Sequence, residues 1–170
     1  MIFAGLLTVA CGLLAGGLSH QVGVAPILGA ILCSACFFRP RELLLVGLGG
    51  ILVRDLFLGF SLFTLVRLVG ILLVVLLVVG LRVRPSLRSL LSGLLLASPV
   101  FHITLAVGDW LTGTCLVLPK TAQGLWASLA GSLPYFQRSL FGDLVFTSLF
   151  LSAYALAGYW ILNLKSQTVP

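Results

Sequence analysis

Ionisable side chains stand inside long apolar stretches of this sequence, and they are the residues best placed to do chemistry. The set comprises two arginines, one histidine and three aspartates: Arg54, Asp55, Arg67, His102, Asp109 and Asp143. Ionisable residues are costly in hydrocarbon, so they usually face a helix-bundle interior or a wet cavity and mark a functional site. The set therefore predicts either a ligand site or a lattice of ion pairs that fixes helix packing.

Catalytic signatures are missing from the sequence. It contains no phosphate-binding glycine loop, no H-E-x-x-H and no G-x-S-x-G. Two histidines and four acidic residues are too few for most hydrolytic sites. Cys33 and Cys36 form a C-x-x-C without further ligands at matching spacing, so we interpret them as packing residues. Cys115 falls in a predicted loop and is not assigned. We expect no enzymatic activity and no metal site, and no cofactor is indicated.

The elements that must position these residues are predicted to be transmembrane helices. Of the 170 residues 60% are hydrophobic and 8% charged, whereas soluble domains carry about 25% charged residues. A membrane span needs roughly 20 apolar residues. Six segments approach this length: 2–18, 24–38, 43–60, 62–81, 89–110 and 140–162. We predict an all-α, compact six-helix bundle, a single transmembrane domain over residues 1–170, with no cleavable signal peptide.

Lysines and arginines in the short loops predict the orientation. One side carries most of them: Arg39, Arg41, Arg82, Arg84, Arg88 and Lys165. Both termini are therefore expected in the cytoplasm, with the protein in a bacterial inner membrane or an equivalent energy-converting membrane. Contact of these residues with lipid phosphates explains the net charge of +6 without nucleic acid. This orientation places all six intramembrane ionisable residues in the outer half of the bilayer.

A long outer loop, residues 111–139, is predicted before the last span. Its segment "QGLWASLAGSLPYF" reads as a short amphipathic helix ended by Pro134. Trp126, Tyr135 and Phe136 are candidates for a lid over the outer mouth, and Lys120 joins the polar cluster from the same loop. The alternative is an interfacial helix whose aromatic side chains rest on the bilayer surface.

Asp143 is predicted to open the sixth span. The unpaired N–H groups and the positive dipole end of a helix start favour a carboxylate. We expect Asp143 to act as a capping or first-turn residue and to pair with a cation: Arg54, Arg67 or Lys120.

Small residues recur every four positions in the first segment: Ala4, Thr8, Gly12 and Gly16. Such a ridge lets a second helix approach closely in a membrane. Its partner is predicted to be either another span of this chain or a separate membrane subunit.

Residues 118–147, "LPKTAQGLWASLAGSLPYFQRSLFGDLVFT", resemble the signature of an uncharacterised bacterial family of small six-helix membrane proteins. That signature reads Y-P-K-T, A-G-L and then A-L-P-F-F-x-x-S/T-L-x-G-D-L-x-F/Y-T. "HQVGVAPILGA" and "RDLFLGF" are similar to two earlier family segments. Two departures stand out: "TLAVGDW" lacks the asparagine of the family's T-N-F-x-x-W, and Arg54 replaces a small residue.

The family in turn resembles the substrate-binding membrane components of energy-coupling factor transporters. The resemblance implies six helices, cytoplasmic termini, an outward-opening vitamin site, and a first helix whose small residues meet the coupling subunit. It implies a micronutrient-capture component with a small-molecule ligand, powered by partner subunits. The alternative is a non-catalytic structural subunit of a larger respiratory or photosynthetic membrane complex. The lost asparagine favours the alternative, whereas retention of Asp55, Lys120 and Asp143 favours capture.

Overall fold

The computed structural model describes residues 27–114 and 117–167, with side chains described to residue 156 apart from 153 and 154. These residues form five α-helices: α1 (Ile27–Ala35), α2 (Pro40–Leu58), α3 (Leu62–Leu81), α4 (Leu87–Thr112) and α5 (Ala122–Gln167). No strand occurs in those ranges, so the predicted all-α class is confirmed. The predicted segment 62–81 coincides with α3. The segment 2–18 and its ridge, Ala4, Thr8, Gly12 and Gly16, lie outside the described residues.

The short helix α1 is the centre of the bundle. Eight of its nine residues are buried, and it contacts each of the other four helices. Its side chains Leu28, Ile31 and Leu32 belong to one apolar core together with residues of α2, α3 and α4. Nine residues rise only about 14 Å, less than half of a bilayer's hydrocarbon thickness. The described helix is therefore shorter than the predicted segment 24–38, and it is shielded on all sides by longer helices.

Local sequence signals fix the ends of the helices. Pro40 occupies the first turn of α2, where its missing N–H costs no bond, and Glu42 accepts from the Arg39 N–H at 3.1 Å. The Ser86 hydroxyl caps α4. Gly113 ends α4 with φ of +64°, a conformation that glycine adopts without a Cβ clash.

Glycines allow α3 and α4 to pack closely. A Cβ added at Gly70 would lie 2.9 Å from the Phe101 ring, and one at Gly108 would overlap Val66. Close approach at small residues is how helices gain van der Waals contact where no hydrophobic effect drives them together.

Large apolar side chains face outward on α2 and α3, and a carboxylate is buried beside them. Leu56 is 70% exposed, whereas its neighbour Asp55 is 0% exposed. Along α3, Leu65, Val69 and Leu76 point outward. Two described helices, α3 and α4, are long and apolar enough to cross a membrane.

The predicted separation of a loop helix from the last span is wrong. The helix α5 runs unbroken for 46 residues and passes through Pro134. A proline inside a helix removes one backbone hydrogen bond, but it does not end the helix when packing on both sides holds it. Here buried Ser128, before the proline, and buried Asp143 and Thr147, after it, anchor α5 against the bundle.

Candidate functional site

A cavity of about 570 Å³ lies among all five helices. Its volume falls within the range of small-molecule sites, roughly 300–1,000 Å³. It lies toward the end of the bundle where α2 and α4 end and α3 and α5 begin, because its lining comes from the C-terminal halves of α2 and α4 and the N-terminal halves of α3 and α5. The lining is Ile27, Leu28, Ile51, Arg54, Phe63, Arg67, Phe101, His102, Leu105, Ala106, Asp109, Ser128, Gly131, Ser132, Tyr135 and Ser139.

Asp55 holds the two cavity arginines together. Its carboxylate accepts from Arg54 Nη1 at 2.7 Å and from Arg67 Nη1 at 2.9 Å and 3.2 Å. The Thr64 hydroxyl donates to its second oxygen at 2.7 Å. Since Asp55 is fully buried, these charge-assisted bonds compensate for its lost hydration. The carboxylate therefore fixes the position of both guanidinium groups at the cavity wall.

Each arginine keeps donors for a further partner. Among the described residues, Arg54 and Arg67 bond Asp55 through Nη1 alone. A guanidinium has five N–H donors in a planar fork, so Nε and Nη2 of both residues remain available. The Arg67 guanidinium also lies 4.9 Å from the centre of the Phe63 ring, which holds its plane by a cation–π contact.

His102 presents an unsatisfied nitrogen at the same cavity. The residue is 8% exposed, and its Nε2 has no hydrogen-bond partner among the described residues. Its ring is held by edge-to-face contacts with Phe101 at 5.6 Å and Phe136 at 5.3 Å between centroids. A buried polar atom without a partner is costly, and a bound ligand or water relieves that cost.

One polar face of α5 closes the cavity, and sequence reasoning missed most of it. Ser128 donates to the Ala106 carbonyl at 2.8 Å and ties α5 to α4. Ser132, Tyr135 and Ser139 follow along the lining. Their spacing of four, three and four residues is helical and leads on to Asp143, also four residues away. That periodicity across Pro134 is the signal that could have revealed one continuous helix.

A model of one protein family matches residues 1–165 of this chain. The chain belongs to DUF6580, a family of unknown function. No curated protein and no solved structure matches it.

In this DUF6580 chain the structure brings four of the singled-out residues to one cavity: Arg54, Arg67, His102 and Asp109. Asp55 lies behind the two arginines. Lys120, in contrast, is placed outside the cavity: its ammonium donates to the Trp110 carbonyl and to the Leu111 carbonyl, the latter at 3.0 Å. Those carbonyls belong to the last turn of α4, where a cation is favourable. Lys120 thus fixes the connection between α4 and α5.

The two predictions for Asp143 are wrong for the described residues. It lies deep inside α5 instead of opening a helix, and it pairs with none of Arg54, Arg67 and Lys120. Its Oδ1 accepts from the Gly29 backbone N–H at 3.0 Å, while Oδ2 has no partner among the described residues. The carboxylate therefore serves the first turn of α1, because a helix start offers unpaired N–H groups.

The three lid candidates fall in different places. Tyr135 lines the cavity, and Phe136 packs on the His102 ring. Trp126 is 72% exposed and is not among the lining residues. The segment thus acts as a wall of the cavity through α5, while the exposed rings of Trp126 and Tyr135 are also compatible with the interfacial alternative.

The cysteines of the DUF6580 chain pack as ordinary apolar residues where they are described. Cys33 is buried in α1 and Cys36 is half-buried beside it. Cys115 lies outside the described residues. Among the described residues, no group of three histidines, cysteines or carboxylates is close enough to hold a metal ion.

Proposed function

We propose that this chain is a multi-pass membrane protein that captures a small solute, as the substrate-binding component of a micronutrient uptake transporter. The observation that carries the proposal is the 570 Å³ cavity, whose wall holds two arginines and a histidine nitrogen that has no partner among the described residues. Such a cavity offers donors, acceptors and aromatic rings for recognition. Transport energy comes from partner subunits or an ion gradient in this proposal.

The distribution of polarity supports residence in the membrane. A soluble protein buries leucines and exposes charge, but here Asp55 is buried and leucines of α2 and α3 face outward. Two described helices suffice to cross a bilayer. We propose six spans with both termini in the cytoplasm of a bacterial or equivalent energy-converting membrane. The arginine-rich connection at 82–86 then lies inside, and the cavity opens toward the outer side.

The second candidate function is that of a structural subunit, and the hydrogen bonding of the Asp55 carboxylate favours it. Its carboxylate is satisfied by Arg54, Arg67 and Thr64, as in an ion-pair lattice that only fixes helix packing. In that case the apolar exterior would contact neighbouring subunits of a larger membrane complex. The His102 Nε2, which has no partner in the described part of the chain, favours capture, because a bound solute would satisfy it.

Purification in mild detergent from native membranes separates the two candidates. Solute capture predicts a chain that carries a bound small molecule, released on denaturation and identified by mass spectrometry. The structural role predicts fixed stoichiometry in a large assembly and no released solute. The second result would contradict the capture proposal.

A further inference from the structure

We infer that the cavity selects solutes with a single carboxylate on an aromatic body, the carboxylate meeting Arg54 and Arg67. The inference rests on the proposed capture function and names the class of its substrate. It stands on three features of the cavity wall: its charge, its hydrogen-bond donors and its rings.

The net charge of the arginine pair and Asp55 favours a ligand group with a single negative charge. Arg54 and Arg67 carry two positive charges, and buried Asp55 neutralises one of them. The remaining positive charge lies at the wall of a partly enclosed cavity that also presents apolar side chains, where a monoanion gains more from pairing than it does in bulk water. A carboxylate therefore fits better than a phosphate monoester, which carries about −1.5 to −2 at neutral pH.

The donors suit the planar geometry of a carboxylate. Asp55 occupies Nη1 of each guanidinium and leaves Nε and Nη2, the pair of N–H groups that binds a carboxylate through two parallel bonds. The cation–π contact with Phe63 holds the Arg67 plane before the ligand arrives. His102 Nε2 adds one further polar contact on α4 for the ligand.

The rest of the cavity suits an apolar, flat body. Phe63, Phe101 and Tyr135 place rings in the lining, and Ile51 and Leu105 add aliphatic surface. Aromatic ligands gain from stacked or edge-to-face contacts with such rings beyond simple area burial. The cavity wall thus combines an anion-binding arginine pair with a surface of aromatic and aliphatic side chains.

Isothermal titration of the purified, full-length chain with three matched probes tests the inference. The probes are 2-naphthoate, its neutral amide 2-naphthamide, and the dianionic 2-naphthyl phosphate. We expect 2-naphthoate to bind at least about tenfold more tightly than either of the others, because two charge-assisted bonds are lost in the amide. Equal binding of acid and amide, tightest binding of the phosphate, or no binding of any probe would overturn the inference.

Arginine-to-lysine variants locate the site. Arg67→Lys keeps a cation beside Asp55, so the fold is retained, but a point charge cannot offer the planar fork. We expect it to lose about tenfold in 2-naphthoate affinity and to leave 2-naphthamide unchanged. Arg84→Lys, on the exposed connection at the opposite end, is the matched control and keeps the parent affinities. If Arg67→Lys behaves like Arg84→Lys, the carboxylate does not meet Arg67.

The two levels of the proposal fail in different ways. A native solute without a carboxylate, released from purified protein, would overturn the substrate class and leave solute capture standing. Isolation only as part of a fixed complex, with no solute and no probe binding, would contradict capture itself.

Discussion

Asp143 accepts a 3.0 Å hydrogen bond from the backbone N–H of Gly29, so a carboxylate in the middle of α5 holds the first turn of the central helix α1. The two residues are 114 positions apart in the chain. The bond is buried, and the cavity residues Leu28 and Ser139 lie one and four positions from its partners. It therefore couples the two helices beside the cavity.

Replacement of Asp143 tests whether its partner is a neutral N–H or a cation. Asp143→Asn keeps an acceptor oxygen, so we expect a small loss in the free energy of unfolding. Asp143→Ala leaves the Gly29 N–H buried without an acceptor, which costs about 1–3 kcal/mol. The measurement is SDS titration in mixed micelles. A loss for Asp143→Asn as large as that for Asp143→Ala would indicate a cation partner instead.

Gly29 tests the close approach of α1 and α5. A Cβ there would lie 3.1 Å from the Asp143 backbone oxygen and 3.2 Å from Thr147 Oγ1. Because backbone cannot yield without a helix shift, Gly29→Ala is expected to destabilise the protein by about 1–3 kcal/mol. Gly80→Ala is the matched control, since nothing lies within 4 Å of its added Cβ. In thermal unfolding in detergent, the midpoint temperature should be lower than that of the parent for Gly29→Ala and not for Gly80→Ala. Equal midpoints for the two variants would disprove the close packing.

Asp55 is predicted to be the most sensitive polar position of the described bundle. Asp55→Asn removes the buried counter-charge of two half-buried cations, a loss of about 3 kcal/mol. Thr64→Val removes one hydrogen bond to the same carboxylate, and we expect a smaller loss of about 1.5–3 kcal/mol. Unfolding titrations of both variants check this order. If Asp55→Asn is as stable as the parent, the arginines are solvated and the cavity wall is not built on Asp55.

Hydropathy along the sequence was sufficient to predict one helix and the grouping of three polar residues. The run from Leu62 to Leu81 is apolar apart from Thr64 and Arg67, so α3 was predicted with its observed bounds. The depth of each polar residue along its predicted span placed Arg54, Arg67 and His102 in the same half of the bilayer, and these three residues line one cavity.

Two features of the structure were not predicted from the sequence. Pro134 was interpreted as a helix end because proline usually disrupts helices, but tertiary packing carries α5 through it. The partner of Asp143 is a backbone N–H, and because almost every residue carries one, the residue types do not indicate which will bind. Side-chain chemistry alone therefore suggested a cation.

Labelling of single cysteines tests the proposed topology. Ser61→Cys, in the connection after α2, should react with a membrane-impermeant maleimide added to intact cells. Ser86→Cys, in the connection after α3, should react only after permeabilisation, because the arginines around it hold that connection inside. The parent chain measures background from its native cysteines. Labelling of both sites from outside, or the reverse pattern, would overturn the orientation.

The most direct test of solute capture is native mass spectrometry of the parent chain and of a variant whose cavity is filled by a tryptophan side chain. Gly131→Trp places a large ring at the cavity wall, whereas Gly80→Trp places the same ring in open space away from it. We expect a discrete small-molecule adduct on the parent chain and on Gly80→Trp, and its loss from Gly131→Trp. An adduct that persists equally in Gly131→Trp would contradict the assignment of the cavity as the solute site.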